Sequence, residues 1–235
     1  MIVKSVAAGD GWIWIRGGFD LFRQNPVIWI ALFLIYLLIG MALSVVPAIG
    51  PIVLNLLAPV FMAGFMLGCQ ALESGEELEI NHLFAGFKHN TAQLITVGGI
   101  YLAGIITIVG LVFVTTGGAM LSMSGHPPAM EEAAGPGMLL AALTALALLL
   151  PLIMAYWFAP ILVIFHGLKA VDAMKLSFSA CLRNIWPFTI YGLISMLLMV
   201  LAAIPLGLGL LVMIPTMTAS LYVSYRDIFS EEVVA

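Results

Sequence analysis

The sequence predicts an all-α integral membrane protein with six transmembrane helices, arranged as three hairpins, each preceded by an amphipathic interfacial helix on the cytoplasmic side. Three observations carry that prediction. Of 235 residues, 63% are hydrophobic and only 9% are charged, a balance that no soluble domain of this size solvates and that marks the membrane class. Six apolar runs of roughly the 20 residues a bilayer requires are separated by polar or turn-forming segments. A short segment also recurs just before an apolar run, as Phe19 to Asn25, Phe84 to Asn90 and Phe178 to Asn184. In each copy a Phe is followed six residues later by an Asn, with Arg or Lys one or two places before that Asn.

Taken in order, residues 9 to 25 place Trp12, Ile15, Phe19 and Phe22 at three- and four-residue steps, with Asp10, Arg16, Asp20 and Arg23 largely opposite. This pattern predicts an interfacial helix carrying an Arg16 to Asp20 pair one turn apart. Pro26 suits the first turn of a new helix, where a missing N–H costs nothing, and 27–46 is the first predicted span. The turn formers Pro47, Gly50 and Pro51 reverse the chain into the second span, 52–72.

An acidic loop follows with Glu73, Glu76, Glu77 and Glu79, in which Ser74 to Glu77 has the spacing of a capping box. Ile80, Leu83, Phe84 and Phe87 give the second surface helix its apolar face. The third span is 92–115. The stretch 117–137, rich in Gly, Pro, Ser and Met, is expected to be a mobile loop. A long fourth span, 138–166, is interrupted by Pro151 and Pro160.

Val171, Met174, Phe178 and Cys181 mark the third surface helix, with Asp172, Lys175 and Ser179 on its polar side. Pro187 opens the fifth span, 187–204, and Pro205 and Gly207 turn the chain into the sixth, 207–225. The whole of 1–235 reads as one transmembrane domain, with repeats at about 9–75, 76–170 and 171–232.

All eight basic residues, Lys4, Arg16, Arg23, Lys88, Lys169, Lys175, Arg183 and Arg226, fall on one side of this map. By the positive-inside rule that side, with both termini, is cytoplasmic, and in a bacterium the membrane is the inner one. The net charge of -4 and the dispersed basic residues exclude a nucleic-acid partner. Cys69 and Cys181 show no CxxC spacing and fall toward the cytoplasmic side, where no disulfide is expected. Asp10, Arg16, Asp20 and Arg23 precede the first apolar run, so that run is expected as a retained span and not a cleaved signal.

The repeated segment supplies the candidate site: Phe19, Arg23 and Asn25; Phe84, Lys88 and Asn90; Phe178, Arg183 and Asn184. One reading is a lipid or ligand contact, with the amides and basic groups converging on an anionic headgroup. The other is anchoring, with Phe in the acyl boundary, the basic residue at anionic lipid and Asn capping or bending the start of a span. A second candidate is a cavity where Pro59, Pro160 and Pro215 kink the even-numbered spans and free the carbonyls of Asn55, Tyr156 and Leu211.

Away from their ends the spans hold no Asp, Glu, Lys or Arg, which argues against a proton-driven pump. Glu79-x-x-His82 has di-iron spacing but occurs once where a bundle needs it twice, and His82, His89, His126 and His166 read as solvated or capping groups. No GxSxG or SxxK supplies a nucleophile. Gly64-x-x-x-Gly68 is a helix-approach motif expected to pack on another span of the same chain, with dimerisation as the alternative. No metal or cofactor is expected, and membrane lipid and other membrane subunits are the expected partners.

The segments Leu57 to Gly64, Glu77 to Phe84, Ala173 to Phe178 and Tyr222 to Phe229 resemble an uncharacterised family of proteobacterial six-span inner-membrane proteins. That resemblance implies an inner-membrane location and carries over no activity and no functional residue. The expected role is that of a non-enzymatic scaffold or accessory subunit. A passive transporter of lipid or small molecules, working through the kinked even spans, is the alternative.

Overall fold

The computed structural model describes residues 2–122 and 136–230, and these form helices plus one two-residue strand pair. The elements are β1 (Ile2–Val3), α1 (Asp10–Phe22), α2 (Pro26–Ser44), α3 (Ile49–Glu73), the 3-10 helix η1 (Ile80–Lys88) and α4 (Thr91–Ser122). After them come α5 (Pro136–Trp157), α6 (Ala159–His166), α7 (Ala170–Arg183), α8 (Ile185–Ala203), α9 (Leu210–Ile228) and β2 (Phe229–Ser230). Among the described residues five segments are long and apolar enough to cross a membrane: Pro26–Ser44, Ile49–Glu73, Thr91–Val114, Ala141–His166 and Ile185–Ala203. The predicted sixth span corresponds to α9, which has 19 residues but carries Thr216, Thr218, Ser220, Ser224, Arg226 and Asp227 from its seventh residue onward.

The core lies in the half of the molecule that holds the β1–β2 pair, where Ile2 pairs with Ser230 and Val3 with Phe229. Apart from Gly50, α3 buries residues only from Pro59 to Leu72; α9 buries residues only from Pro215 onward; and α8 buries only Pro187 and Tyr191, near its start. Beyond this near half the hairpins stand apart, and Leu38, Val109, Met196 and Val200 are each about 60% exposed, as side chains facing acyl chains are.

The surface elements interlock with the hairpins in a fixed order. Helix α7 packs on α5 and α6, η1 packs on α3, and α1 packs on α9 and α8. The second and third surface elements thus lie on the second arm of the preceding hairpin, and the first lies on the last. These contacts are backbone-close. A Cβ at Gly18 would stand 2.5 Å from the Thr216 carbonyl, one at Gly64 2.5 Å from the Leu83 carbonyl, and one at Gly86 2.1 Å from the Val60 carbonyl. Gly64-x-x-x-Gly68 therefore packs on the η1 segment and not on another span, with Gly68 against Leu78.

Each expected apolar face is buried only in part. Ile15 and Phe22 on α1 and Met174 and Cys181 on α7 are buried as expected, whereas Trp12, Phe19 and Val171 are 49%, 46% and 49% exposed. The buried faces are also rich in small residues: Gly11 and Gly18 beside Trp14 and Ile15 on α1, and Ala170, Ala173, Ser177, Ala180 and Cys181 on α7. In lipid, close helix approach selects small side chains, and large apolar ones gain nothing by turning inward from a medium as apolar as themselves.

Four further expectations need correction. The second surface element is a 3-10 helix, in which positions three apart eclipse, so Leu83 and Gly86 are buried together. Its capping box is Glu79 with His82, the Glu79 N–H meeting His82 Nδ1 at 2.9 Å, and not Ser74 to Glu77. Asp20 pairs with Arg23 at 3.1 Å and not with Arg16. Helix α4 continues to Ser122 and α5 starts at Pro136, so 117–122 and 136–137 of the expected loop are helical, and the rest of it lies outside the described residues. His126, Glu131, Glu132, Glu231 and Glu232 lie outside the described residues.

The fourth span breaks at Phe158 and not at Pro151, which stays inside α5. In an unbroken helix the Phe158 N–H bonds the Met154 carbonyl. Here the Ser177 hydroxyl stands between them, accepting from the Phe158 N–H at 2.9 Å and donating to the Met154 carbonyl at 2.7 Å. A side chain inserted into the ladder is a recognised cause of a kink, and Pro160, in the first turn of α6, needs no N–H partner there.

Candidate functional site

The three Asn residues of the repeated segment do three different things. Asn25 caps α2, its Oδ1 accepting from the Ile28 N–H at 3.4 Å. Asn90 precedes α4 with φ 51° and reaches across to α6, donating to the Val163 carbonyl at 3.2 Å. Asn184 is 1% exposed and fully engaged: Oδ1 accepts from the Val6 N–H at 2.9 Å, while Nδ2 donates to the carbonyls of Lys4 at 2.9 Å and Ala180 at 3.0 Å. The last amide reads the N-terminal segment as a neighbouring strand would, and Arg183 adds a bond to the Val3 carbonyl at 3.4 Å.

The structure does not gather these nine residues into one site. Phe19 stacks on Phe22 beside the exposed Arg23 to Asp20 pair. Phe84 and Phe87 cluster around Phe61 with Lys88 exposed nearby in sequence. Phe178 is half-buried on α7. Pro59, Pro160 and Pro215 are all buried, and α3 and α9 run on through their prolines. The carbonyl freed at Asn55 faces Gly98 of α4, where a Cβ would come within 2.8 Å of it. None of the three prolines lines either of two surface grooves, one of about 580 Å³ between α2 and α3 and one of about 270 Å³ beside α7.

Polar side chains that the sequence reading left unassigned tie the near half together. The Trp14 indole N–H donates to Asp227 at 2.8 Å, joining α1 to the end of α9. Tyr222 donates to Glu73 at 2.6 Å, and Arg226 pairs with the same carboxylate oxygen, joining α9 to α3. His166 Nε2 and the Tyr225 hydroxyl meet at 2.7 Å, joining α6 to α9. The end of α9 is thus bonded to three other elements. Among the described residues no three His, Cys, Asp or Glu side chains converge to hold a metal.

Comparison with known proteins agrees with this picture. The chain is 36% identical to a probable inner membrane protein of Burkholderia thailandensis, with 96% of this chain and 91% of that protein aligned. It belongs to that inner-membrane protein family. No family profile and no solved structure matches the chain.

Two further features of this inner-membrane protein bear on chemistry. Tyr101 and Tyr156 pack with ring centroids 4.4 Å apart within the spans, and neither they nor Tyr36 hydrogen-bond to any described residue. Each lies ten residues from the near end of its segment (36 − 26, 101 − 91, 166 − 156), a regularity that could have been read from the sequence.

Cys69 and Cys181 are both buried and free. On α7, burial pushes the Cys181 thiol up to about 12 from its ordinary 9.0, against the opposing hydrogen bond from Ser177. The thiolate is the reactive form, so maleimide at pH 7.5 is expected to label Cys181 at under a tenth of its rate in the unfolded chain. Equal rates by mass spectrometry would refute the burial. Because the folded value is raised, this group's contribution to stability is complete below about 9 and is lost as the pH climbs toward 12.

Proposed function

We propose that this chain is a six-span inner-membrane scaffold without catalytic activity, an accessory subunit of a larger membrane assembly, with both termini in the cytoplasm. The reading rests on one observation. The near half is locked by backbone-close packing and the α9 bonds, while the far halves of the hairpins leave wide apolar faces free for lipid or partner spans. A rigid base with separated arms suits holding other subunits better than cycling between states.

The pairing of β1 with β2 puts residues 2–3 and 229–230 on one face, which requires an even number of crossings between them and supports α9 as the sixth span. From Leu210 to Tyr225 it carries no Asp, Glu, Lys or Arg. The order in which surface elements cover hairpins supports the threefold repeat. The eight basic residues support the cytoplasmic orientation.

Purification from its native membrane in mild detergent tests the proposal. A particle whose protein mass, by light scattering, exceeds the 25.2 kDa of one chain and contains stoichiometric further subunits is expected. A particle holding a single chain and nothing else would overturn it.

A further inference from the structure

We infer that the groove beneath α7 binds one anionic phospholipid of the leaflet on the near face, with an acyl chain in the groove and its phosphate on Lys175. The groove, about 270 Å³, is lined by Ile100 of α4, Ala155 of α5 and Val171, Met174, Lys175 and Phe178 of α7. Its wall is apolar throughout, so Lys175 contributes its methylene stem and leaves the ammonium at the rim, the usual posture of a lysine at a membrane interface.

Among the described residues that ammonium has no partner. Lys175 is exposed and makes no hydrogen bond or ion pair with any of them, and Asp172, one turn back on the same helix, is not within ion-pair distance. Around it Val171 and Leu182 are 49% and 53% exposed. Val171, Lys175, Phe178 and Leu182 follow steps of four, three and four, so they form one stripe of α7 that faces lipid. An apolar slot with one unneutralised cation at its mouth complements a chain bearing one anionic head.

The other surface elements lack this combination. Arg23 is neutralised by Asp20, Arg183 is spent on Val3, and neither Arg16 nor Lys88 borders either groove. Of these two grooves, the one on the third surface helix alone has a basic residue in its lining. The site rests on the chain lying in a membrane and not on the scaffold role, so either stands if the other fails.

The test is native mass spectrometry of the full-length protein offered phosphatidylglycerol and phosphatidylcholine with identical acyl chains. The wild type is expected to retain one phosphatidylglycerol in clear preference. Lys175→Gln, a surface change that leaves the packing untouched, should lower that preference about fivefold, the effect of one basic residue near an anionic leaflet. Ala155→Phe, which fills the slot, should remove retention of both lipids, with its melting temperature checked against wild type. Lys88→Gln should change nothing. Equal retention of the two lipids by the wild type, an unchanged preference in Lys175→Gln, or an equal loss in Lys88→Gln would overturn the inference. So would displacement of the lipid by millimolar inorganic phosphate, because the anion alone would then account for binding.

Discussion

Gly18→Val is expected to release α1 from α9 and to cost about 3 kcal/mol or more, beyond the usual 1–3 kcal/mol for overpacking. Overpacking is normally relieved by side chains that change rotamer. At Gly18 the obstacles are backbone atoms, the Thr216 carbonyl at 2.5 Å and the Ser220 nitrogen at 2.6 Å from a Cβ, and a helix can yield to them only by moving as a whole. That movement would also pull Trp14 from Asp227 and break the bond that joins α1 to the end of α9.

Gly17→Ala is the matched control. A Cβ there meets only the Val223 methyls, at 3.0 and 3.2 Å, and a cost below about 1 kcal/mol is expected. Unfolding in mixed micelles, followed by circular dichroism and by Trp fluorescence, separates the two variants. If Gly18→Val unfolds together with wild type, the close contact between α1 and α9 is wrong.

The near-half architecture explains why the sequence was readable for the spans and only in part for the faces. Apolar runs report the hydrocarbon thickness directly, and Asn25 with Pro26 mark the start of α2 by local chemistry that needs no tertiary partner. The inward face of a helix in lipid leaves no such mark. Trp12, Phe19 and Val171 look like core residues on a helical wheel, and that inference holds where water is the alternative to the core. Here lipid is the alternative, so the small residues Gly18, Ala173 and Ala180 mark the contacts instead.

The candidate site was legible only as a pattern. The recurrence of Phe, a basic residue and Asn was visible, but what each Asn bonds depends on which chain lies beside it. The Asn184 amide meets residues 4 to 6, about 180 positions away, and no local rule points there. Lys175 was read as part of a polar face, and its groove exists only because α4 and α5 pass beneath α7.

The same dependence on distant packing makes Ser177→Ala the second large expected effect. Ser177 is fully buried, and its hydroxyl satisfies both the donor and the acceptor that the break at Phe158 leaves open. Alanine removes that hydroxyl and leaves room too small for a replacement side chain. The buried Phe158 N–H then goes unpaired and the Met154 carbonyl keeps only the weak Cys181 S–H donor, so a loss of about 1–3 kcal/mol is expected. The helix has one escape: Phe158 can bond Met154 directly if α5 and α6 straighten, but α7, packed on both, would then be displaced. Cys181 reports that choice, since its sulfur also lies 3.6 Å from the Met154 carbonyl. Strain without straightening leaves Cys181 buried and slow to alkylate in the folded protein, whereas straightening exposes it and speeds labelling well below the unfolding midpoint. A Ser177→Ala protein with wild-type stability and wild-type Cys181 labelling would mean that the hydroxyl does not hold the break open.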